Sequence, residues 1–255
     1  IITSITSQNT FGVQSTYDLP TQVIEDQFQA ILDDKKCQAV KTGMLGNEEV
    51  VILISKMLKK GRTKNIVVDP VIYSSSGKRL LTESGTKLLK EYLLPIANLV
   101  TPNLMEAELL SGIRIKSQAD RKRAARIILK AGVGAVLITG GHLKGNPEDL
   151  LLDGKGYQVF SSDRLSKVDI HGTGCVFSAA IAAKLADGAL LREAVHGAKE
   201  YIGKAILGRV APGNGNVCAE PFAVFNRERE KSQSICDLEN ALKNFKKERI
   251  GNLVP

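Results

Sequence analysis

The sequence contains no tryptophan and only 5% aromatic residues, whereas 43% of its 255 residues are hydrophobic. The core must therefore be built mainly from isoleucine, valine, leucine and alanine. Every apolar run is too short for a membrane-spanning helix, so we expect no membrane partner. The length is sufficient for one large α/β domain with a complete core.

Cysteine is also scarce. The four cysteines form no CxxC pair, and the three histidines lie far apart, which excludes the common zinc-binding patterns. The cysteines are Cys37, Cys175, Cys218 and Cys236. This usage predicts reduced thiols and a cytoplasmic protein.

Acidic residues are outnumbered by basic ones, 27 to 35, which gives a net charge of +8. A basic surface can attract nucleic acid, a membrane or an anionic substrate. Here the basic residues are dispersed and aromatic residues are not interleaved with them, which favours an ordinary solvated surface. We therefore expect no nucleic-acid partner.

Helical and strand patterns alternate along most of the chain. Helices are predicted at 19–32, 48–60, 84–94, 103–110 and 117–131, and apolar strands at 39–44, 65–69, 97–101 and 135–139. Antiparallel strands are predicted at 149–153, 156–161 and 165–169, followed by long helices at 173–187 and 191–207. This alternation predicts an α/β fold with a mostly parallel central sheet and helices on both faces. Ligands of such sheets bind at the carboxyl ends of the strands.

The two ends of the chain differ from this pattern. Residues 1–6 are rich in β-branched side chains and predict a core strand, before which we expect further sequence. Residues 227–255 are charged and then helical, which predicts a linker leading into another domain. The expected main domain is therefore 1–226.

The strongest local signal is the glycine-rich loop that precedes the helix at 173–187. Gly172 and Gly174 allow a tight turn with exposed N–H groups, and the helix start adds its positive dipole. Such a loop can hold a phosphoryl group in transfer. Cys175, in the first helical turn, is expected to have a lowered thiol pKa and to accept a substrate hydroxyl proton. The alternative is a simple helix cap with a buried, inert cysteine. The loop is not a P-loop, because GxxxxGK[ST] is absent.

Three other strand ends carry polar candidates. Asn103 and Glu106 share one side of a helix start, where they suit Mg²⁺ bridging nucleotide phosphates or, alternatively, form a capping box. Asp69 suits a metal or a lysine, or else a simple turn. Thr139, followed by two glycines, suits contact with nucleotide phosphate or is a plain strand exit. His142, His171 and His196 have no triad spacing and are predicted to be non-catalytic.

These motifs occur together in one order that resembles the hydroxymethylpyrimidine/phosphomethylpyrimidine kinases of the ribokinase superfamily. The resemblance covers residues 1 to about 225. It is carried by SQNTFGV at 7–13, KTGML at 41–45, VDPV at 68–71, TPN at 101–103, TGGH at 139–142 and HGTGC at 171–175. The cysteine of the glycine-rich loop is the specific marker, since sugar kinases of the superfamily usually have aspartate there.

The resemblance implies a ribokinase-like fold and ATP-dependent phosphorylation of 4-amino-5-hydroxymethyl-2-methylpyrimidine and its monophosphate, giving the diphosphate in thiamine biosynthesis. It also implies ATP and Mg²⁺ as cofactors and a homo-oligomer. The implied substrate-binding residues are Gln8, Met44 and Val71. The implied catalytic residues are Cys175 as base and Gly172, Thr173 and Gly174 as anion hole. The implied ATP-binding residues are Thr139, Gly141 and Asn103, and the metal residues are Asp69 and Glu106.

The sequence departs from the family at its amino-terminal end. Family members begin with a strand and a Gly/Ser-rich loop over the substrate, and nothing similar precedes Ile1, so we expect a missing amino-terminal strand unit. The tail resembles the start of a thiamine-phosphate synthase domain. Two alternative functions stay open: a pyridoxal-type kinase, and a catalytically inactive ligand-binding or regulatory module.

Overall fold

A computed structural model describes residues 1–61, 63–140, 145–166, 168, 170–223, 225–226 and 233–238. The chain begins with an antiparallel hairpin of β1 (Ser4–Asn9) and β2 (Gly12–Asp18). Within the described part of the chain this hairpin is a sheet of its own, and Ile1, Ile2 and Ile5 are exposed. The prediction of a core strand at 1–6 was therefore wrong, because the β-branched side chains of that run are not buried against the main sheet.

The central sheet has six strands in sequence order, from β3 to β8. The first four are parallel and the last two are antiparallel. They are β3 (Val40–Thr42), β4 (Ile66–Val68), β5 (Leu99–Val100), β6 (Val136–Ile138), β7 (Glu148–Asp153) and β8 (Gly156–Ser161). The mostly parallel sheet is therefore confirmed, and its antiparallel edge lies where the sequence predicts it.

Helices cover both faces of this sheet, as predicted. One face carries α1 (Thr21–Asp34), α2 (Glu48–Gly61), α3 (Glu83–Leu88), α4 (Leu104–Ser111) and α5 (Gln118–Leu129). The other carries α6 (Thr173–Ala186) and α7 (Leu191–Leu207). Neighbouring residues of β4 show the two faces, because Val68 packs into the first apolar cluster and Val67 into the second.

The helix predicted at 84–94 is only partly regular. After α3 the chain passes through a π-helical turn, Leu89–Leu93, and a 3₁₀ turn, Leu94–Ile96. Pro95 lies in the 3₁₀ turn, where its missing N–H and fixed φ end the α-helical bonding.

The strand predicted at 165–169 was wrong. Leu165, Ser166 and Val168 are not in a strand, and positions 167 and 169 lie outside the described residues. A short parallel pair forms instead between β9 (Ile170–His171) and β10 (Val217–Cys218). Most of the predicted linker at 227–255 also lies outside the described residues, apart from a helical piece at 233–238.

The parallel strands all end at the same edge of the sheet, and α6 begins beside them because it packs on β3 and β4. This arrangement places the glycine-rich loop next to the residues that follow those strands. Among the described helices, none is both long and apolar enough to cross a membrane.

Candidate active site

The glycine-rich loop presents free backbone donors. Gly172, the N-cap of α6, has a φ of 84°, which favours glycine because a Cβ would be strained there. No side chain of the described residues caps this helix, so the N–H groups of Thr173, Gly174 and Cys175 keep no protein acceptor in that part of the chain. Gly174 and Cys175 are exposed. The helix start therefore presents exposed backbone donors of the kind an anion site needs, and the anion-binding role stays a prediction.

Cys175 lies at the start of α6, and the residue as a whole is exposed to solvent. This exposure argues against the alternative of an inert buried cysteine. The expected lowering of its pKa was wrong. Desolvation by the surrounding atoms raises the pKa of the Cys175 thiol, and the nearby Asp69 carboxylate raises it further. The Lys41 ammonium group lowers the pKa by less. The protonated thiol therefore predominates at neutral pH.

Asp69, directly after β4, ties the loop helix to the sheet edge. Its Oδ2 atom accepts a hydrogen bond of 2.9 Å from Ser178 Oγ and lies 3.2 Å from Lys41 Nζ. Ser178 belongs to α6 and is fully buried. Its hydroxyl also lies 3.0 Å from the Gly174 carbonyl oxygen. Asp69 thus fixes the position of the helix that carries Cys175.

Asn103 and Glu106 form a complete capping box at the start of α4. Asn103 Oδ1 accepts from the Glu106 N–H at 2.9 Å, and Glu106 Oε2 accepts from the Asn103 N–H at 2.9 Å. Glu106 Oε1 accepts from the Ile72 N–H at 3.3 Å. Burial raises the pKa of Glu106 to about 8, although the bond from Asn103 opposes the shift. Of the two alternatives for Asn103 and Glu106, a metal site or a capping box, the structure therefore shows the capping box.

Magnesium is implied by the family resemblance, and Asp69 and Glu106 were its expected ligands. Both Glu106 oxygens already accept backbone N–H groups, and its raised pKa leaves it mainly protonated at neutral pH. Asp69 Oδ2 is shared between Lys41 and Ser178. Among the described residues no group of three acidic, histidine or cysteine side chains could hold a metal. As they lie, these carboxylates do not fit a direct Mg²⁺ site.

The pKa of Glu106 predicts a pH-dependent stability. The pKa of Glu106 in the folded protein, about 8, exceeds the ordinary 4.5. The contribution of the protonated Glu106 carboxyl to the free energy of unfolding is therefore complete below pH 4.5 and is lost as the pH rises through 8. Between pH 6 and pH 9 the free energy of unfolding is expected to fall by about 2–3 kcal/mol more in the wild type than in Glu106→Gln. Urea denaturation at both pH values measures this difference. Glu25→Gln, an exposed change on α1, is the control, and equal pH dependence in wild type and Glu106→Gln would contradict the raised pKa.

The structure brings the predicted ATP-binding residues Thr139 and Asn103 close together. The Thr139 N–H donates to the Pro102 carbonyl at 2.9 Å, so the turn after β6 lies beside the turn that carries Asn103. The next residue, Gly140, donates its N–H to Asp149 Oδ1 at 3.0 Å. Gly141 and His142 lie outside the described residues.

Buried charged groups support the turn at Thr139. Lys199 Nζ lies 2.6 Å from Asp149 Oδ2, and Arg121 donates to the Ile138 carbonyl at 3.1 Å. A Cβ at Gly140 would lie 1.9 Å from the Glu148 carbonyl oxygen, so only glycine fits at that position. These contacts together hold the turn at Thr139 in one conformation.

A cleft of about 230 Å³ is lined by Gln8 together with Ser75 and His171, the residue that precedes the glycine-rich loop, whereas residues 172–175 of the loop are not part of its lining. This volume suits a molecule smaller than a typical drug. Gln8 lies on β1, just beyond the predicted core strand at 1–6. The other predicted substrate residues have different contacts: the Met44 carbonyl accepts from Thr3 Oγ1 at 2.6 Å, and the Val71 N–H donates to the Asp69 carbonyl at 2.9 Å.

Three residues of this site, His171, Lys41 and Ser75, had no predicted role in it. His171 was predicted to be non-catalytic, yet it lines the cleft and bonds Gln8. Lys41 was noted only within a motif, and Ser75 not at all. A lysine within the short, otherwise mostly apolar strand predicted at 39–44 was the available signal for Lys41. His196, by contrast, is exposed on α7 beside Glu200, and its predicted lack of a catalytic role stays a prediction.

The mixed sheet with helices on both faces, and the glycine-rich loop beside the ends of its parallel strands, are those of the ribokinase-like fold, which the chain shares with solved small-molecule kinases. A family model described as phosphomethylpyrimidine kinase matches residues 1–220. The chain belongs to the phosphomethylpyrimidine kinase family.

Individual relatives agree with this assignment. The chain is 40% identical over 216 residues to the hydroxymethylpyrimidine/phosphomethylpyrimidine kinase of Aquifex aeolicus, covering 84% of this chain and 85% of that protein. It is 42% identical over 207 residues to a thiamine biosynthesis bifunctional protein of Geobacter sulfurreducens, covering 81% of this chain and only 42% of that protein. The fold is similar to a Bacillus subtilis pyridoxal kinase solved as an ADP complex, with a TM-score of 0.79, 35% identity and coverage of 87% and 84%.

Proposed function

We propose that this chain phosphorylates 4-amino-5-hydroxymethyl-2-methylpyrimidine and its monophosphate with ATP, giving the diphosphate for thiamine biosynthesis. The observation that carries the proposal is the loop Gly172–Cys175, whose free N–H groups and cysteine follow directly after His171, a residue that lines the cleft containing Gln8. The name of the Aquifex relative supports the same substrate, and the name of the Geobacter relative supports a place in thiamine biosynthesis.

In the first proposed reaction the substrate hydroxyl attacks the terminal phosphorus of ATP; in the second, a phosphate oxygen of the monophosphate is the attacking atom and needs no proton removed when it is already ionised. In the first reaction the O–H bond breaks as the Cys175 thiolate takes the proton, a new O–P bond forms, and the bond to ADP breaks. The N–H groups of Thr173, Gly174 and Cys175 stabilise the negative charge on the transferring phosphoryl oxygens. Asn103 and Thr139 contact the nucleotide. We propose that magnesium enters as the counter-ion of ATP, because the Asp69–Glu106 pair does not offer a direct site.

Gln8 is the proposed recognition residue for the substrate ring. Its side-chain amide offers one acceptor and two donors, which match the amino group and ring nitrogen of an aminopyrimidine. Met44 and Val71, which do not line the cleft, are proposed as ring contacts from the family resemblance alone. This role for Gln8 follows from its place in the wall of the cleft.

A pyridoxal kinase is the second candidate, favoured by the fold similarity to the Bacillus subtilis enzyme. A substrate panel separates the two: the purified chain is incubated with ATP and either the hydroxymethylpyrimidine or pyridoxal, and ADP release is measured. We expect kcat/KM for the pyrimidine to exceed that for pyridoxal by at least about tenfold, a difference typical of one well-placed hydrogen bond. The reverse preference would assign the chain to the pyridoxal kinases.

An inactive binding module gives a different result in the same experiment. Calorimetric titration would then show pyrimidine binding without ADP release. We also propose that residues 1–226 form the kinase domain and that the protein is a cytoplasmic homo-oligomer. Sedimentation of the purified chain tests the oligomeric state.

A further inference from the structure

One imidazole joins three distant segments at the wall of the cleft. His171 Nε2 lies 3.1 Å from Gln8 Nε2 on the hairpin, and His171 Nδ1 lies 2.9 Å from Ser75 Oγ. His171 itself immediately precedes the N-cap of α6. The substrate cleft and the anion loop are therefore connected through a single side chain.

The chemistry of these groups fixes the direction of each hydrogen bond. The Gln8 Nε2 atom carries two hydrogens and can only donate, so His171 Nε2 must accept. Nε2 then carries no hydrogen, and the hydrogen on Nδ1 is donated to Ser75 Oγ. Both ring nitrogens of His171 are therefore hydrogen-bonded to other side chains of the protein.

The bond to His171 determines how the Gln8 amide faces the cleft. With Nε2 turned to the imidazole, the Gln8 Oε1 atom has no hydrogen-bond donor within the described part of the chain and is open to a ligand. The second hydrogen of Nε2 is also open. The amide thus offers an acceptor beside a donor, which is the complement of the amino group and adjacent ring nitrogen of a 4-aminopyrimidine.

We infer that His171 is a specificity-determining positioning residue: it holds the Gln8 amide in the orientation that selects a 4-amino group over a 4-oxo group. A 4-oxopyrimidine presents the reverse pattern, a carbonyl acceptor beside a ring N–H donor. It would match Gln8 only if the amide turned over and broke the present bond to His171. The inference rests on the proposed function, since it assumes that the pyrimidine occupies this cleft.

The test is calorimetric titration of the full chain with hydroxymethylpyrimidine and with its 4-oxo analogue. The wild type is expected to bind the amino compound at least about tenfold more tightly, and His171→Leu is expected to reduce that ratio by about tenfold, because the amide can then rotate. His171→Gln, which keeps an acceptor near the Nε2 position, is expected to recover most of the ratio. The KM for ATP is expected to stay within about twofold of the wild-type value in each active variant, which separates this role from a general structural one.

Two further variants keep the test decisive if His171→Leu folds poorly. Ser75→Ala, an exposed change, removes the acceptor for Nδ1–H and is expected to lower the ratio by about threefold. His196→Leu is the matched histidine control on α7 and is expected to leave the ratio unchanged.

The outcomes distinguish the inference from the function on which it rests. A wild type that binds neither pyrimidine overturns both. A wild type that binds the amino compound selectively, with the same ratio in His171→Leu and Ser75→Ala, overturns the inference alone. A wild-type preference for the 4-oxo compound also overturns it, because the amide is then held the other way.

Discussion

Replacing Cys175 with alanine is expected to lower kcat for phosphorylation of the pyrimidine by about 100- to 10,000-fold, the usual contribution of a general base. The loop N–H groups remain in the variant, so binding of ATP is expected to change little. Steady-state kinetics with the pyrimidine and ATP varied separately measure the two effects. Cys37→Ala, a partly exposed cysteine that does not line the cleft, is the control.

The pH dependence of kcat gives a second measure of the same residue. The pKa of the Cys175 thiol is raised by desolvation and by Asp69, and the thiolate is the form that accepts the proton. Turnover of the wild type is therefore expected to increase as the pH rises above neutrality, and this increase is expected to be absent from the residual activity of Cys175→Ala. Full activity in the alanine variant would remove Cys175 from the mechanism.

Replacing Asp69 with asparagine is expected to have the second largest effect, a loss of about 100-fold in kcat with a moderate loss of stability. Asp69 balances the charge of Lys41 and holds Ser178 of α6. Asparagine can still accept from Ser178 but leaves Lys41 without its counter-charge. A small displacement of catalytic groups can cost about 100-fold in rate. Because the pair is only partly shielded, with side chains 19% and 9% exposed, the expected loss of stability is about 2 kcal/mol.

Asp153→Asn is the matched control for this prediction. It breaks a similar ion pair, with Arg192 Nη2 2.7 Å from Asp153 Oδ1, at the turn between β7 and β8. Stability is expected to decrease by about 1 kcal/mol or less, with kcat unchanged. Asp69→Asn is also expected to move the alkaline rise of kcat to lower pH, because the Asp69 charge no longer raises the pKa of Cys175. If both variants kept wild-type kcat, the role given to Asp69 would be wrong.

Much of the main domain was predictable because its elements are strongly patterned. The strand Ile66–Val68 is entirely apolar, and α5 begins at Gln118 directly after the capping residue Ser117, as the sequence predicts. The hairpin was missed in part because β2 is largely exposed and carries no alternating apolar pattern. The pair of β9 and β10 was missed because its two short strands are far apart in the chain.

The candidate site was predictable as a set of residues but less so as chemistry. The glycine-rich loop and Asp69 could be named from local sequence. The direction of the Cys175 pKa shift could not, because it depends on desolvation and on a carboxylate from another strand. Glu106 and Asn103 fitted both a metal site and a capping box, and only their hydrogen bonds decide between these alternatives.

The sequence by itself determined the α/β class, the order of the elements and the place of the glycine-rich loop, because these depend on local periodicity and turn residues. The tertiary structure alone decided which charges meet: Lys41 with Asp69, Lys199 with Asp149, and His171 with both Gln8 and Ser75. Hydrogen bonds and pKa values depend on distances of a few ångströms between residues as far apart in the chain as Gln8 and His171, and local sequence patterns do not contain those distances.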